Sequence, residues 1–445
     1  MAADRGALFA VPAAAALLLW PAVWNGFPIV FADTGTYLSQ AINRYAGWDR
    51  PVFYSLFMLP LHGTITVWPV VVVQALLAAW VLWLVVLALV PDVFWVWFVA
   101  GAGVLSGTTW LPWLVSELMP DLFTPLLVLT LCLLALVPER LTLAGRIGLA
   151  GLAAFLIATQ LSSLPLAGVL GLGLLGFIYL DGRGGELGMR PPRWMLIILP
   201  PALAVLGLCA VNLAAHGRFT VSPYGDAFLL ARVVADGPGR AVLKTECPQA
   251  HWRLCAFADS FPATSDDFLW TVESPLYRAG GPKVLAGEAI AIVEAAVRAD
   301  PAGEARAALS NTVEQMIRFD SGDGLEPWPD QVTPWITRDF PPREQNAYAA
   351  ARQQMGSLRI PGLLLWVHRT VAVAGVVACL GLLPVALRRR AACGGFLLAV
   401  LIALPVSAAI TGALSAPHER YQARIMWLPA FMAVTSAASL RRRPD

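Results

Sequence analysis

Residues 65–90 read ITVWPVVVVQALLAAWVLWLVVLALV, with no charged side chain among them. At 1.5 Å per residue, a helix of this length covers a hydrocarbon core of about 30 Å. A soluble helix as long would need a polar face, and here Gln74 is the main polar side chain. Working outward, the same pattern predicts further spans at 7–24, 93–113, 121–137, 143–160, 164–180, 194–214, 365–387, 392–413 and 425–440. The apolar run 51–61 (PVFYSLFMLPL) is too short to cross and reads as an interfacial or re-entrant helix. Composition agrees: 58% of residues are hydrophobic and 13% charged, where a soluble domain carries about 25% charged residues. The fold class expected is a polytopic α-helical membrane protein of about ten transmembrane helices. The first span reads as a retained anchor, because its small residues Ala13 to Ala16 come early and it ends in the bulky run WPAVW.

The arginines orient these spans. One set of loops holds Arg5, Arg140, Arg146, Arg183, Arg190, Arg193, Arg388 to Arg390 and Arg441 to Arg443. The other set is poor in them, with Arg44, Arg50, Arg369, Arg420 and Arg424. Ten spans with both termini cytoplasmic put every basic cluster inside. The expected location is a bacterial inner (plasma) membrane. Three regions follow: transmembrane helices one to seven (1–214), an extracytoplasmic α-rich domain (215–361), and helices eight to ten (362–445). Within the middle region, 284–298 and 304–318 carry apolar positions at helical spacing. Cys247 and Cys255, in CPQAHWRLC, are placed to form a disulfide in an oxidising compartment. The net charge of +2 gives no indication of nucleic acid.

Three polar clusters interrupt the apolar background, all on the predicted outer face. FADTGTYLSQAINRYAGWDRPVFYSLF (31–57) carries Asp33, Tyr37, Arg44, Asp49, Arg50 and Tyr54. SELMPD (116–121) carries Glu117 and Asp121, and APHERYQAR (416–424) carries His418, Glu419, Arg420, Tyr421 and Arg424. Charge near bilayer depth is costly, so such groups line a cavity, pair with one another or serve function. Each cluster also has a plainer reading. Asp33 suits the N-cap of a helix starting at Thr34. Glu117 and Asp121 fit a short solvated loop. Arg420 and Arg424, four apart on one helical face, fit interface anchors as well as phosphate ligands.

The order of these features resembles the GT-C superfamily of integral-membrane glycosyltransferases. It begins with a first span, an outer loop with an early Asp33, and an Arg50-Pro51 followed by an aromatic segment with Tyr54. It continues with the acidic Glu117/Asp121 loop and the late His418, Arg420, Tyr421 cluster. The resemblance covers residues 1–180 and 360–440. It implies a polyprenyl-phosphate-linked sugar donor, a glycan, lipid or protein acceptor, and inversion at the anomeric carbon. Asp33 is then the general base that takes the acceptor's hydroxyl proton. Arg420, Arg424, Arg369 or His368 would stabilise the departing lipid phosphate. Arg50, Tyr54, His418 and Tyr421 complete the substrate-binding set. Glu117 and Asp121 would orient the acceptor or hold Mg²⁺ or Mn²⁺.

Two other function classes fit the same chain. A lipid or sugar transporter or flippase would carry ionisable groups near the membrane midplane, where this sequence has almost none. A non-enzymatic envelope assembly protein would use the exported segment to bind a partner. The sequence contains no phosphate-binding P-loop, Gly-x-Ser-x-Gly, His-Glu-x-x-His or Cys-x-x-Cys pattern.

Overall fold

The computed structural model describes residues 6–180, 193–320 and 322–441; the inner-loop arginines Arg183 and Arg190 and the terminal Arg5, Arg442 and Arg443 lie outside them. The described residues are helical, with no strand among them. One isolated bridge, Ile29 to Glu117, ties the loop after the first span to the acidic loop.

Five helices are long and apolar enough to cross a membrane: Trp68–Leu89, Arg193–His216, Gly362–Arg388, Ala392–Leu414 and Glu419–Arg441. The other expected spans coincide with shorter apolar helices, Ala7–Leu18, Trp95–Thr108, Pro120–Leu136, Leu143–Ala158 and Ser163–Ile178. The expected 7–24 span is broken at Leu19 into Ala7–Leu18 and Trp20–Asn25, with Pro21 opening the second piece. A proline suits the first turn of a new helix and not the interior of an old one.

The segment Phe123–Leu136 is the hub of the bundle. Every one of its residues is buried, which explains a sequence apolar all round, with no stripe. On the predicted inner side, arginines bond to the carbonyls left over at helix C-termini. Arg193 donates to the Ala135 carbonyl at 3.2 Å and to Glu139 at 2.9 Å, and Arg140 donates to the Ala88 carbonyl.

Phe53–His62 neither crosses nor lies on the surface with its aromatic face. Tyr54 and Met58 are fully buried in the bundle core. The segment 215–361 has a core of its own over only part of its length. Leu230, Val233, Leu243, Leu254, Phe268 and Ile292 cluster there, and Cys247 is joined to Cys255 with their Cα atoms 5.4 Å apart. The rest packs on the bundle: Val332, Ile336, Phe340 and Tyr348 share the core of the spans. Helix Pro329–Asp339 presses so closely on Ala32–Asn43 that a Cβ on Gly35 would fall 1.9 Å from the Gln331 carbonyl oxygen.

Candidate functional site

Asp33 sits in the first turn of Ala32–Asn43, but it is not the cap. The N-cap is Phe31, whose amide donates to the Thr34 hydroxyl at 2.9 Å; that hydroxyl donates to the Leu118 carbonyl at 3.1 Å. The expected capping role of Asp33 is therefore filled by Thr34, which frees the carboxylate to face the loop that follows. There Arg50 grips it twice, Nε to Oδ2 at 3.0 Å and Nη2 to Oδ1 at 2.9 Å. Arg420 reaches the same Oδ2 at 3.4 Å.

Arg420 turns its other nitrogen to Asp121, Nη1 to Oδ2 at 3.7 Å, while Arg424 Nη1 meets Asp121 Oδ1 at 3.2 Å. Arg424 also donates to Gln160 at 3.1 Å and to Ser162 at 3.3 Å. Asp121 and Arg424 are almost wholly buried, so the solvated-loop reading of the second cluster does not hold. The result is one chain of ion pairs, Arg50–Asp33–Arg420–Asp121–Arg424, assembled from segments as distant as residues 33 and 424. The helix Glu419–Ala423 carries Arg420, and Arg424 follows at its C-cap. Their shared face explains why both reach Asp121.

Electrostatics follow this geometry. Burial pushes the Asp33 carboxyl up, but Arg50 and Arg420 outweigh it and hold the group below the usual carboxylate value. Asp49 behaves oppositely: burial and the nearby Asp33 raise it against the opposing charge of Arg50. Tyr37 is driven well above its ordinary range by burial and by Asp33.

Asp49 and Arg50 open onto a small cleft between this loop and the C-terminal end of Arg193–His216, lined also by Trp48, Leu208, Asn212 and Ser222. Above Arg50 lies the middle segment, 215–361. Trp270 stands 5.0 Å and Phe228 6.0 Å from its guanidinium, and Trp48 stacks near both rings. Asp266, one turn before Trp270, pairs with His418 at 3.4 Å. Burial raises the Asp266 carboxyl, while His418, Arg420 and Trp270 bring it below the usual value. Sequence reading missed Trp270, Phe228 and Asp266, because nothing in the order of residues ties the middle segment to the loops that carry Arg50 and His418.

Of the remaining expected site residues, Arg369, His368, Tyr54 and Arg44 are placed apart from this chain. Arg369 forks onto Asp320, with Nε to Oδ1 at 2.9 Å, and is half exposed. His368 is buried edge-on against Trp110 at 5.3 Å. Tyr54 donates to Gln74 at 2.5 Å, and Gln74 in turn holds the Val115 and Glu117 carbonyls at 3.2 and 2.9 Å. The main polar side chain of the 65–90 span thus braces the acidic loop. Tyr421 lies against both arginines, 5.1 Å from Arg420 and 5.5 Å from Arg424, and against His418 at 5.2 Å. Arg44 ends its helix in a left-handed conformation on the surface. Glu117 is nearly buried, with Oε1 only 2.8 Å from where a Cβ on Gly324 would sit.

Mg²⁺ or Mn²⁺ does not fit this donor set. Both Asp121 oxygens face guanidiniums, and among the described residues no group of three or more His, Cys, Asp or Glu side chains converges. Compared with protein-family models, curated proteins and solved structures, the chain matches none.

Proposed function

We propose that this chain is an inverting membrane glycosyltransferase that moves a sugar from a polyprenyl-phosphate donor to an acceptor hydroxyl on the outer face of a bacterial plasma membrane. Ten crossings with both ends inside belong to the same reading, supported by the alternation of arginine-rich and arginine-poor loops. The observation that carries the reading is the convergence of Asp33, Arg50, Asp121, Arg420 and Arg424 at the edge of a cleft. Buried charge on this scale is expensive to maintain and is retained where it serves a reaction or a ligand.

Within the chain of pairs, the three guanidiniums outnumber the two carboxylates by one positive charge, which suits an anionic donor. In the proposed reaction the lipid phosphate draws Arg420, the looser of Asp33's two partners, away from the carboxylate. Oδ2, then held by Arg50 alone, becomes more basic and takes the proton of the acceptor hydroxyl. The hydroxyl oxygen bonds to the anomeric carbon as the carbon–oxygen bond to phosphate breaks. The electron pair leaves with the phosphate, where Arg420 and Arg424 stabilise it. Donor binding and base activation are coupled in this scheme.

A second assignment of the base rests on the cleft. Asp49 lines it, and among the described residues no ion pair occupies its carboxylate. Sugar transfer from polyprenyl-phosphate donors, measured in proteoliposomes, separates the two. Asp33→Asn is expected to lower turnover by about 10²–10⁴-fold with donor still bound. If Asp49→Asn does so and Asp33→Asn does not, Asp49 is the base. Movement of intact donor across the bilayer without bond breaking would replace the transferase reading with a carrier.

A further inference from the structure

The helix Pro301–Ile317 turns several of its polar side chains inward, while Arg306 and Ser310 stay exposed. Arg232 holds Glu304 at 2.7 Å, Asn311 donates to Asp236 at 3.2 Å, and Gln315 exchanges two hydrogen bonds with the His418 backbone, at 2.8 and 2.9 Å. Its large apolar side chains point outward. Leu309, Val313 and Ile317, one per turn along a single stripe, are 65%, 57% and 71% exposed. The preceding helix Gly281–Ala299 buries Leu285, Ala289, Ile292 and Ala296 and exposes Lys283, Glu294 and Arg298, together with Val284, Ile290 and Val297.

A second observation comes from its neighbour. Pro301–Ile317 packs along Ala392–Leu414, one of the helices able to cross a membrane. The backbones nearly touch, since a Cβ on Gly412 would sit 2.7 Å from the Asn311 carbonyl oxygen. Such close approach over small residues is a habit of helix pairs in lipid. Gln422 links the Met316 sulfur, at 3.8 Å, to the Leu404 carbonyl, at 3.2 Å. The C-terminal end of the helix therefore lies beside the middle of that span.

We propose that Leu309, Val313 and Ile317 lie among lipid acyl chains, so that Pro301–Ile317 is a membrane-seated helix and not part of a water-soluble domain. An apolar stripe with its polar groups satisfied inward is costly in water and favourable in lipid. The inference does not depend on the transferase reading. It does bear on the site, because the same helix end holds the loop that carries Arg420. Besides the two Gln315 bonds, Arg318 donates to the Pro417 carbonyl at 3.1 Å and the Asp320 amide donates to Glu419 at 2.9 Å.

The test uses the full chain with Leu309→Cys, Val313→Cys or Ile317→Cys labelled by an environment-sensitive NBD fluorophore. Four native cysteines are buried and the other two are joined, so the introduced thiol is the reactive one. The labelled protein is placed in phosphatidylcholine–phosphatidylglycerol vesicles with and without brominated acyl chains. Expected are blue-shifted emission and severalfold stronger quenching by brominated lipid than by aqueous iodide at all three positions. A label at Arg298→Cys, where the native side chain is 77% exposed on the polar side of the preceding helix, should behave oppositely. Red-shifted emission quenched by iodide at the stripe would overturn the proposal. Shielding from both quenchers, with cross-linking between two copies, would overturn it too, because protein and not lipid would then cover the stripe.

Discussion

Arg50 holds Asp33 by both edges of its fork, at 2.9 and 3.0 Å, while Trp270 of the middle segment lies across the same guanidinium at 5.0 Å. One arginine therefore joins the loop after the first span to the segment above it. Its planar group bonds to a carboxylate in its own plane and stacks on an aromatic face, which a lysine cannot do together.

The Asp33 pairs make stability pH-dependent in a definite direction. The carboxyl is held below the ordinary value of 3.8 in the folded protein. The unfolded chain therefore binds the proton more readily. The contribution is fully present above the unfolded value and is lost as pH falls through the lower folded one. Thermal unfolding in detergent between about pH 7 and pH 3 should show a steeper loss in the wild type than in Asp33→Asn. Equal slopes would mean that other groups govern the acid limb.

Arg420 and Arg424 should separate by what their loss affects. Arg424 is enclosed with Asp121, Gln160 and Ser162, so Arg424→Ala removes the closer cation of the buried Asp121 carboxylate and should cost about 3–5 kcal/mol. Arg420 contacts both carboxylates more loosely. Arg420→Ala should leave most of the protein folded and lower kcat/KM for the lipid donor by about 10²-fold. Melting temperature and donor kinetics on the two variants check this; donor kinetics unchanged in Arg420→Ala would place the phosphate elsewhere.

Gly35 is a packing requirement. An added Cβ meets the Gln331 backbone at 1.9 Å, and a backbone atom cannot swing aside as a side chain does. Gly35→Ala should destabilise by about 1–3 kcal/mol or more and pry Pro329–Asp339 from its seat. Limited proteolysis around residues 329–339 should accelerate. Unchanged cleavage would show that the helices separate without cost.

The Cys247–Cys255 bond closes a short loop, of sequence separation 8, and should stabilise its subdomain by about 2–3 kcal/mol. Mass spectrometry of unreduced protein from cells reads both the bond and the compartment, since it persists only where thiols are oxidised. An alkaline phosphatase fusion near residue 300 should be active, and one near residue 186 should not. Free thiols together with the reverse fusion pattern would invert the topology.

By itself the sequence determined the helical class and the position of each long apolar helix, because burial in lipid or in a bundle leaves a continuous apolar run that is local in the chain. It also determined which polar residues stand apart, since charge in such a background is conspicuous. What the polar residues pair with was decided by tertiary structure. Asp33 reads equally well as a cap or a base until Thr34 is seen to satisfy the helix start and Arg50 and Arg420 are seen on the carboxylate. Trp68–Leu89 has no side-chain cap of its own. Glu344, 277 residues away, accepts from the Val67 amide at 2.9 Å just before it. The helix pattern of 304–318 was legible, but which side faces outward was not. Periodicity gives the spacing of apolar residues, whereas the solvent each face meets depends on the neighbours that long-range packing supplies.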